Sequence, residues 1–469
     1  MSKASGKKIA VVVIHGIGEQ RPMETLPEFV KAVWGDDAEL VHPSRAEVFS
    51  KPELVSGSYE LRRITTRQAS AGTRQRMDFF EFYWAHHMQS HTVAALLAWL
   101  KDLFVRHPRN VPERLLGVWS FGCFLLLTTL ALAILWFAQD RIPGVTIHPW
   151  LVVGLPILAS IGGLLLTIKI LPYAGDAARY LSAAPGNVAV RQQIRKEGVE
   201  LLETLSASND YDRIVIVGHS LGSVIAYDIV NFLWNRLPQA ACKKYHAANT
   251  PAAAALHDVE LAGLALRDAA PKDVGTARVA YREAQRAYFA ELSADDDPLW
   301  LVSDLVTLGS PLSKADVLMA ANSTDLDDRK ERRELPTSPP IFEAGENGGK
   351  PIERFSYPLN SDSRRPHHAA VFAPVVWTNV YVPYRRLIRG DIISGKVSPL
   401  FGRGALDVEI QIGEPPGFRH TNYWHASIDD TANETLKALR QSLNLAGHTT
   451  EQKLWGDRKE DTPILAKEL

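Results

Sequence analysis

Cysteine is almost missing from this chain: Cys123 and Cys242 are the two in 469 residues. A disulfide framework is thereby excluded. Neither thiol has a metal-ligand neighbour at useful spacing, and a reducing compartment fits. Surplus charge is missing too. Fifty-two basic residues against 53 acidic ones leave a formal net charge of −1, which excludes the bulk electrostatics of nucleic-acid binding. No segment repeats. No secretion signal is expected, because the apolar run Ile9 to Ile14 behind the basic Met1 to Lys8 is too short for a signal core. His87 and His91 lie four apart, on one helical face, with no glutamate or third ligand beside them in sequence. A polar or interfacial face is expected there, and no metal or cofactor.

Long uncharged runs are present instead. Leu115 to Ala138 holds no charged residue over 24 positions, and Pro149 to Ile168 none over 20. Either run spans ~30 Å of hydrocarbon at 1.5 Å rise per residue. Trp119, Trp136 and Trp150 sit near their ends, where indole favours the interface. The expectation is a transmembrane hairpin over 115–138 and 149–168, preceded by an interfacial or core helix over Thr92 to Val105. Arg106, Arg109 and Arg114 precede it, Lys169 and Arg179 follow it, and Arg141 alone occupies its loop. The positive-inside rule puts both flanks in the cytoplasm.

The chemistry-bearing stretch is Ile214 to Tyr227. Four β-branched residues, Ile214 to Val217, suit a strand buried on both faces. Gly218-His219-Ser220-Leu221-Gly222 follows, and then apolar residues resume at helical spacing with Val224, Ile225 and Ile229. Strand, G-x-S-x-G, helix is a nucleophile elbow: a sharp turn lifts the serine hydroxyl clear of the sheet, and glycines avoid clashes with neighbouring backbone.

Upstream, the strand Ile9 to Ile14 ends in His15-Gly16-Ile17-Gly18. A strand ending in His-Gly, with G-x-S-x-G far downstream, resembles the α/β-hydrolase superfamily, particularly its lipases and serine esterases. The resemblance implies a mostly parallel, doubly wound sheet with inserted helices. It implies that the backbone amides of Ile17 and Leu221 form the oxyanion hole and that His15 braces the loop. Gly309-Ser310-Pro311 matches a turn frequent in lipases. Gly175-Asp176-Ala177-Ala178-Arg179-Tyr180 looks like predicted bacterial membrane-bound hydrolases, which implies a bacterial inner-membrane protein with its catalytic body on the cytoplasmic side. The family's order of serine, acid, histidine selects Ser220, Asp391 after the second strand beyond the elbow, and His420 after the last strand. His420 is preferred to His425 because His-x-x-Tyr-Trp resembles the end of related lipases. Asp316 is the alternative acid, since Tyr384 to Arg389 pushes Asp391 further from its strand than usual. His367 and His368 are expected to be solvated.

The expected layout is one α/β body over 1–91, 175–236 and 299–446, interrupted by the membrane segment 92–174 and a helical insertion or cap over 237–298. Further strands are expected over Tyr59 to Thr66, Asp78 to Trp84, Trp300 to Leu308, Pro374 to Val382 and Leu406 to Ile412. Helices are expected over Pro22 to Trp34, Val188 to Leu205 and Asp429 to Leu445, a long loop over 321–368 and a frayed polar tail over 447–469. The function expected is hydrolysis of carboxylic esters, most readily of lipids, at a membrane. A thioesterase, a deacylase of lipid-modified molecules and a non-catalytic membrane-bound scaffold are the alternatives.

Overall fold

The computed structural model describes residues 7–16, 21–37, 40, 47–67, 75–88, 180–181, 185–347, 350–384, 390–391, 393–410, 420, 423–424, 430–448 and 450–455, with isolated positions between 108 and 134. Among these, no helix is long and apolar enough to cross a membrane. The expected hairpin over 115–138 and 149–168 and the helix over 92–105 lie outside the described residues as continuous segments.

The architecture is α/β. Eight strands form one sheet: β1 (Lys8–Ile14), β2 (Val48–Pro52), β3 (Arg62–Thr66), β4 (Met77–Phe82), β5 (Tyr211–His219), β6 (Val302–Leu308), β7 (Val376–Tyr381) and β8 (Leu406–Glu409). Their spatial order is β8-β7-β6-β5-β1-β4-β3-β2. Pairing is parallel from β8 through to β4, and β3 and β2 add an antiparallel edge. Alternation in β1 explains the layering. Ala10, Val12 and Ile14 enter the core on one face, and Ile9, Val11 and Val13 enter the core on the other.

Helix α1 (Leu26–Val30), continued by a π-helical turn Lys31–Gly35, packs on the Ile9 face with α6 (Asp430–Leu443), which buries Leu436, Leu439 and Leu443 there. On the other face lie α2 (Pro185–Ala207), α3 (Leu221–Asn235), α4 (Pro251–Arg267) and α5 (Val274–Ser293). Helix α2 packs against α3. A Cβ on Gly198 would stand 2.1 Å from Ile229 Cδ1, so the Ile229 side chain packs directly on the bare backbone there.

Within 237–298, α4 and α5 share the main core through Leu256, Val259, Tyr281 and Tyr288. From α5, Gln285 Nε2 donates to the carbonyls of Phe372 and Val375, at 2.7 and 2.8 Å. The expected loop over 321–368 is instead partly ordered structure. It holds a helix, Ser323–Glu331, and two ribbons, Glu343–Asn347 with Lys350–Arg354 and Ser356–Tyr357 with Arg365–Pro366. His367, expected in solvent, is buried. Its Nε2 donates to the carbonyl of Ile341 (3.0 Å) and its Nδ1 accepts from the amide of Ala369 (3.1 Å); His368 is exposed as expected.

The tail is not frayed throughout. Helix α7 (Glu451–Trp455) docks Glu451 in the interior. Glu451 accepts from Arg282 Nε (2.8 Å) and Arg286 Nε (3.1 Å). Arg286 and Arg213 then share Asp304 near the amino ends of β5 and β6, at 3.2 and 3.1 Å. Removing one partner of such a network leaves charge buried without compensation. Glu451→Ala is therefore expected to lower stability by about 3–5 kcal/mol, read as the shift in the urea-unfolding midpoint of the purified protein.

Candidate active site

The sheet changes direction of winding between β1 and β5, whose carboxyl ends lie side by side. Such a crevice is where open α/β sheets bind ligands. His15 and Gly16 leave β1 there, and Ser220 leaves β5 and precedes the first turn of α3.

The backbone at Ser220 is bent to φ 53°, ψ −128°, a conformation in which side-chain-bearing residues are rare and which the surroundings must enforce. Its amide donates to the carbonyl of Leu308 on β6 (2.9 Å). Two glycines make the bend possible. A Cβ on Gly218 would fall 2.5 Å from Ser223 Cα, and one on Gly222 would fall 2.2 Å from the carbonyl oxygen of Ile14. Helix α3 thus starts in direct contact with the end of β1. A serine before a helix commonly caps it with its hydroxyl. Ser220 makes no such cap, and its Oγ lies 2.6 Å from His420 Nε2 instead.

His420 continues the chain of bonds. Its Nδ1 donates to Asp391 Oδ2 at 2.8 Å. That fixes the tautomer: with hydrogen on Nδ1, Nε2 presents a lone pair to the serine hydroxyl. Asp391 is fully buried, and both its oxygens are satisfied. Oδ1 accepts from the amides of Ile393 (2.9 Å) and Ser394 (3.3 Å), and Oδ2 also accepts from the Tyr423 hydroxyl (2.9 Å). Burial alone pushes its pKa up. The hydrogen bond from His420 and the electrostatic attraction of its ring, with the donors Tyr423 and Ile393, outweigh that and hold it below the usual carboxylate value.

Two residues of this site were named in the sequence without a role. His219, the x before the serine, donates from Nε2 to the backbone carbonyl of His420 (2.7 Å), and its ring packs on His420 and Trp424 with centroids 5.1 and 5.0 Å apart. Burial, then the neighbouring His420, lowers its pKa to about 3, so it stays neutral while it holds the backbone at His420. Tyr423 reaches Asp391 because Gly309, at φ +58°, leaves room. A Cβ there would meet the tyrosine ring at 2.8 Å. The Gly-Ser-Pro signal in the sequence marks this contact, although its partner was not legible.

Leu221 is the first residue of α3, so its amide belongs to the helix's N-terminal set that lacks intrahelical acceptors. Ile17 and His425 lie outside the described residues. Asp316 is buried in a helical turn, Ala315–Leu318, and accepts from Ser323 Oγ (3.4 Å); Asp391 occupies Nδ1 of His420. His15 donates from Nδ1 to the carbonyl of Gly16 (2.9 Å) and stacks on Trp84, centroids 5.2 Å apart, as a brace would. Burial chiefly lowers its pKa to about 4.

Searches of the chain against protein-family models, curated proteins and solved structures each find no match.

Two outcomes follow from this geometry. Gly222→Ala forces a methyl against the carbonyls of Ile14 and His15 and is expected to cost about 3 kcal/mol of stability or more. Gly35→Ala, whose added Cβ would meet only Lys31 Cγ at 3.8 Å, stays within about 0.5 kcal/mol. Urea unfolding separates them. The second concerns Glu81 on β4, which accepts from the amide of Met23 (2.6 Å) just beyond the loop after β1. Burial raises its pKa to about 7. A raised carboxylate favours the protonated fold, so its contribution is present below about pH 4.5 and is lost as pH rises through 7. Glu81→Gln is expected to be more stable than the parent at pH 8, with the advantage vanishing by pH 4.5, in paired unfolding curves.

Proposed function

We propose that this chain is a membrane-anchored serine hydrolase of the α/β-hydrolase kind that cleaves carboxylic esters, with lipid esters as its substrate class. One observation carries the reading: Ser220 Oγ, His420 Nε2 and Nδ1, and Asp391 Oδ2 stand in one bonded line of 2.6 and 2.8 Å at the carboxyl ends of the central strands.

A serine hydroxyl is a poor nucleophile until a base takes its proton. His420 takes that proton as Oγ attacks the ester carbonyl, and Asp391 stabilises the imidazolium that forms. Negative charge develops on the carbonyl oxygen and is met by the amides of Leu221 and Ile17. His420 then protonates the leaving alkoxide, the C–O bond breaks, and an acyl group remains on Ser220. Water attacks this acyl-enzyme with His420 again as base, releasing the acid and the free hydroxyl. No step calls on a metal or cofactor.

The membrane part rests on the two uncharged runs 115–138 and 149–168, and their basic flanks put the body on the cytoplasmic side, as in a two-pass protein of a bacterial inner membrane. Lipid esters follow from that tether, since it would keep the crevice beside the bilayer. A thioester or an acylated macromolecule would suit the same serine chemistry.

Ser220→Ala is expected to lose turnover of a short-chain nitrophenyl ester by on the order of 10⁶-fold and to lose all labelling by a fluorophosphonate probe. Persistent labelling would remove Ser220 from the mechanism. Asp391→Asn should cost about 10⁴-fold in kcat by reversing the His420 tautomer, whereas Asp316→Asn should leave kcat nearly unchanged. A lipidomic comparison of membranes carrying the parent or the Ser220→Ala protein tests the substrate class.

A further inference from the structure

A second cluster of chemistry-bearing side chains lies away from the serine. The 3₁₀ turn Ala85–Met88 follows β4 and carries His86 and His87; Glu197 stands on α2. His87 Nε2 is 2.7 Å from Glu197 Oε2, and the two imidazole centroids are 3.8 Å apart. One ligand atom from each of the three residues falls within 4.8 Å of the others.

From this geometry we infer a divalent-cation site of the zinc class, ligated by His86, His87 and Glu197. Two neutral imidazoles and one carboxylate are a donor set that zinc takes, with a remaining position for water or another ligand. Ligand atoms around a tetrahedral zinc sit roughly 3.3 Å apart, given metal–ligand bonds near 2.0–2.1 Å. Closing from 4.8 Å therefore needs a small side-chain rotation, and His86 is exposed and able to make it.

The surroundings suit a cation. Gln193 Nε2 donates to Glu197 Oε1 at 2.7 Å, which orients the carboxylate and leaves Oε2 toward the histidines. Tyr83 stacks on His86 with centroids 5.6 Å apart. A pocket of about 660 Å³ opens beside the cluster, and the residues lining it include Glu60, Glu197, Glu200 and His86. Lys196 pairs with Glu200 (3.8 Å), which leaves Glu197 and Glu60 as the lining carboxylates nearest to hand for a cation. The pocket leaves room for water on the metal's open side.

Sequence spacing conceals this site because the pair and the third ligand are 110 residues apart. The same separation suggests its use. His86 and His87 precede the uncharged runs in the chain, and Glu197 follows them. A bound ion would clamp the two ends of that insertion together and offset the entropy of closing so long a loop. The inference is independent of the reaction proposed for Ser220.

The test uses purified full-length protein, stripped with chelator and titrated with zinc alone. Calorimetry measures affinity, and elemental analysis after desalting measures stoichiometry. The expected result is one zinc per chain, with a raised thermal midpoint on loading. His86→Ala, His87→Ala and Glu197→Gln should each weaken binding by more than about 100-fold, beyond the 10–100-fold that an outer contact carries. His257→Ala, an exposed histidine elsewhere, should bind as the parent does. Because His86 is exposed, His86→Ala keeps the fold, and matching midpoints in chelator verify this. Zinc bound below about one-tenth equivalent by the parent, or unchanged affinity in His86→Ala, overturns the site and leaves an ordinary histidine–glutamate pair.

Discussion

The first turn of α3 rests directly on the carboxyl end of β1, and the rest of the site depends on that contact. No atom beyond hydrogen fits on Gly222 facing the carbonyls of Ile14 and His15. Because the helix starts so close, the chain must turn sharply at Ser220, and the sharp turn throws the hydroxyl outward instead of letting it cap the helix. Gly16 completes the crowding: a Cβ there would meet Ser220 Cβ at 2.8 Å and His219 Nδ1 at 3.0 Å. The strain of the bend is thus over-determined by backbone on both sides, the condition under which unusual dihedral angles persist.

Much of this was legible in the sequence, for physical reasons. A buried parallel strand reads as an unbroken β-branched run, and the run Ile214 to Val217 is β5. The order of serine, acid and histidine then pointed to Asp391 and His420 despite the long tract before Asp391, and the structure brings the two together. Longer-range pairings left no pattern. Glu451 lies in a tail whose composition looks solvated, and only the arginines on α5 explain why it is buried. The ribbon Glu343–Asn347 with Lys350–Arg354 carries no alternation of apolar residues to announce it. His367 sits beside arginine and proline, and its burial depends on a carbonyl that sequence does not display.

The two ends of the sheet are stabilised differently. At the carboxyl ends, hydrogen bonds and ring packing by His219, Tyr423 and Trp424 position the Asp391–His420 pair. At the amino ends of β5 and β6, a lattice of guanidinium and carboxylate groups joins α5, the sheet and the tail. Ionic geometry is exacting, which suits an anchor, while at the opposite end the Asp391 carboxylate holds an imidazole's tautomer.

Ser220 and His420 are 200 residues apart in the chain. A ribosome therefore exposes the hydroxyl long before it polymerises the imidazole that the fold sets beside it. Whatever this pair does, it can do only after residue 420 has joined the chain and the last strands of the sheet have closed around it.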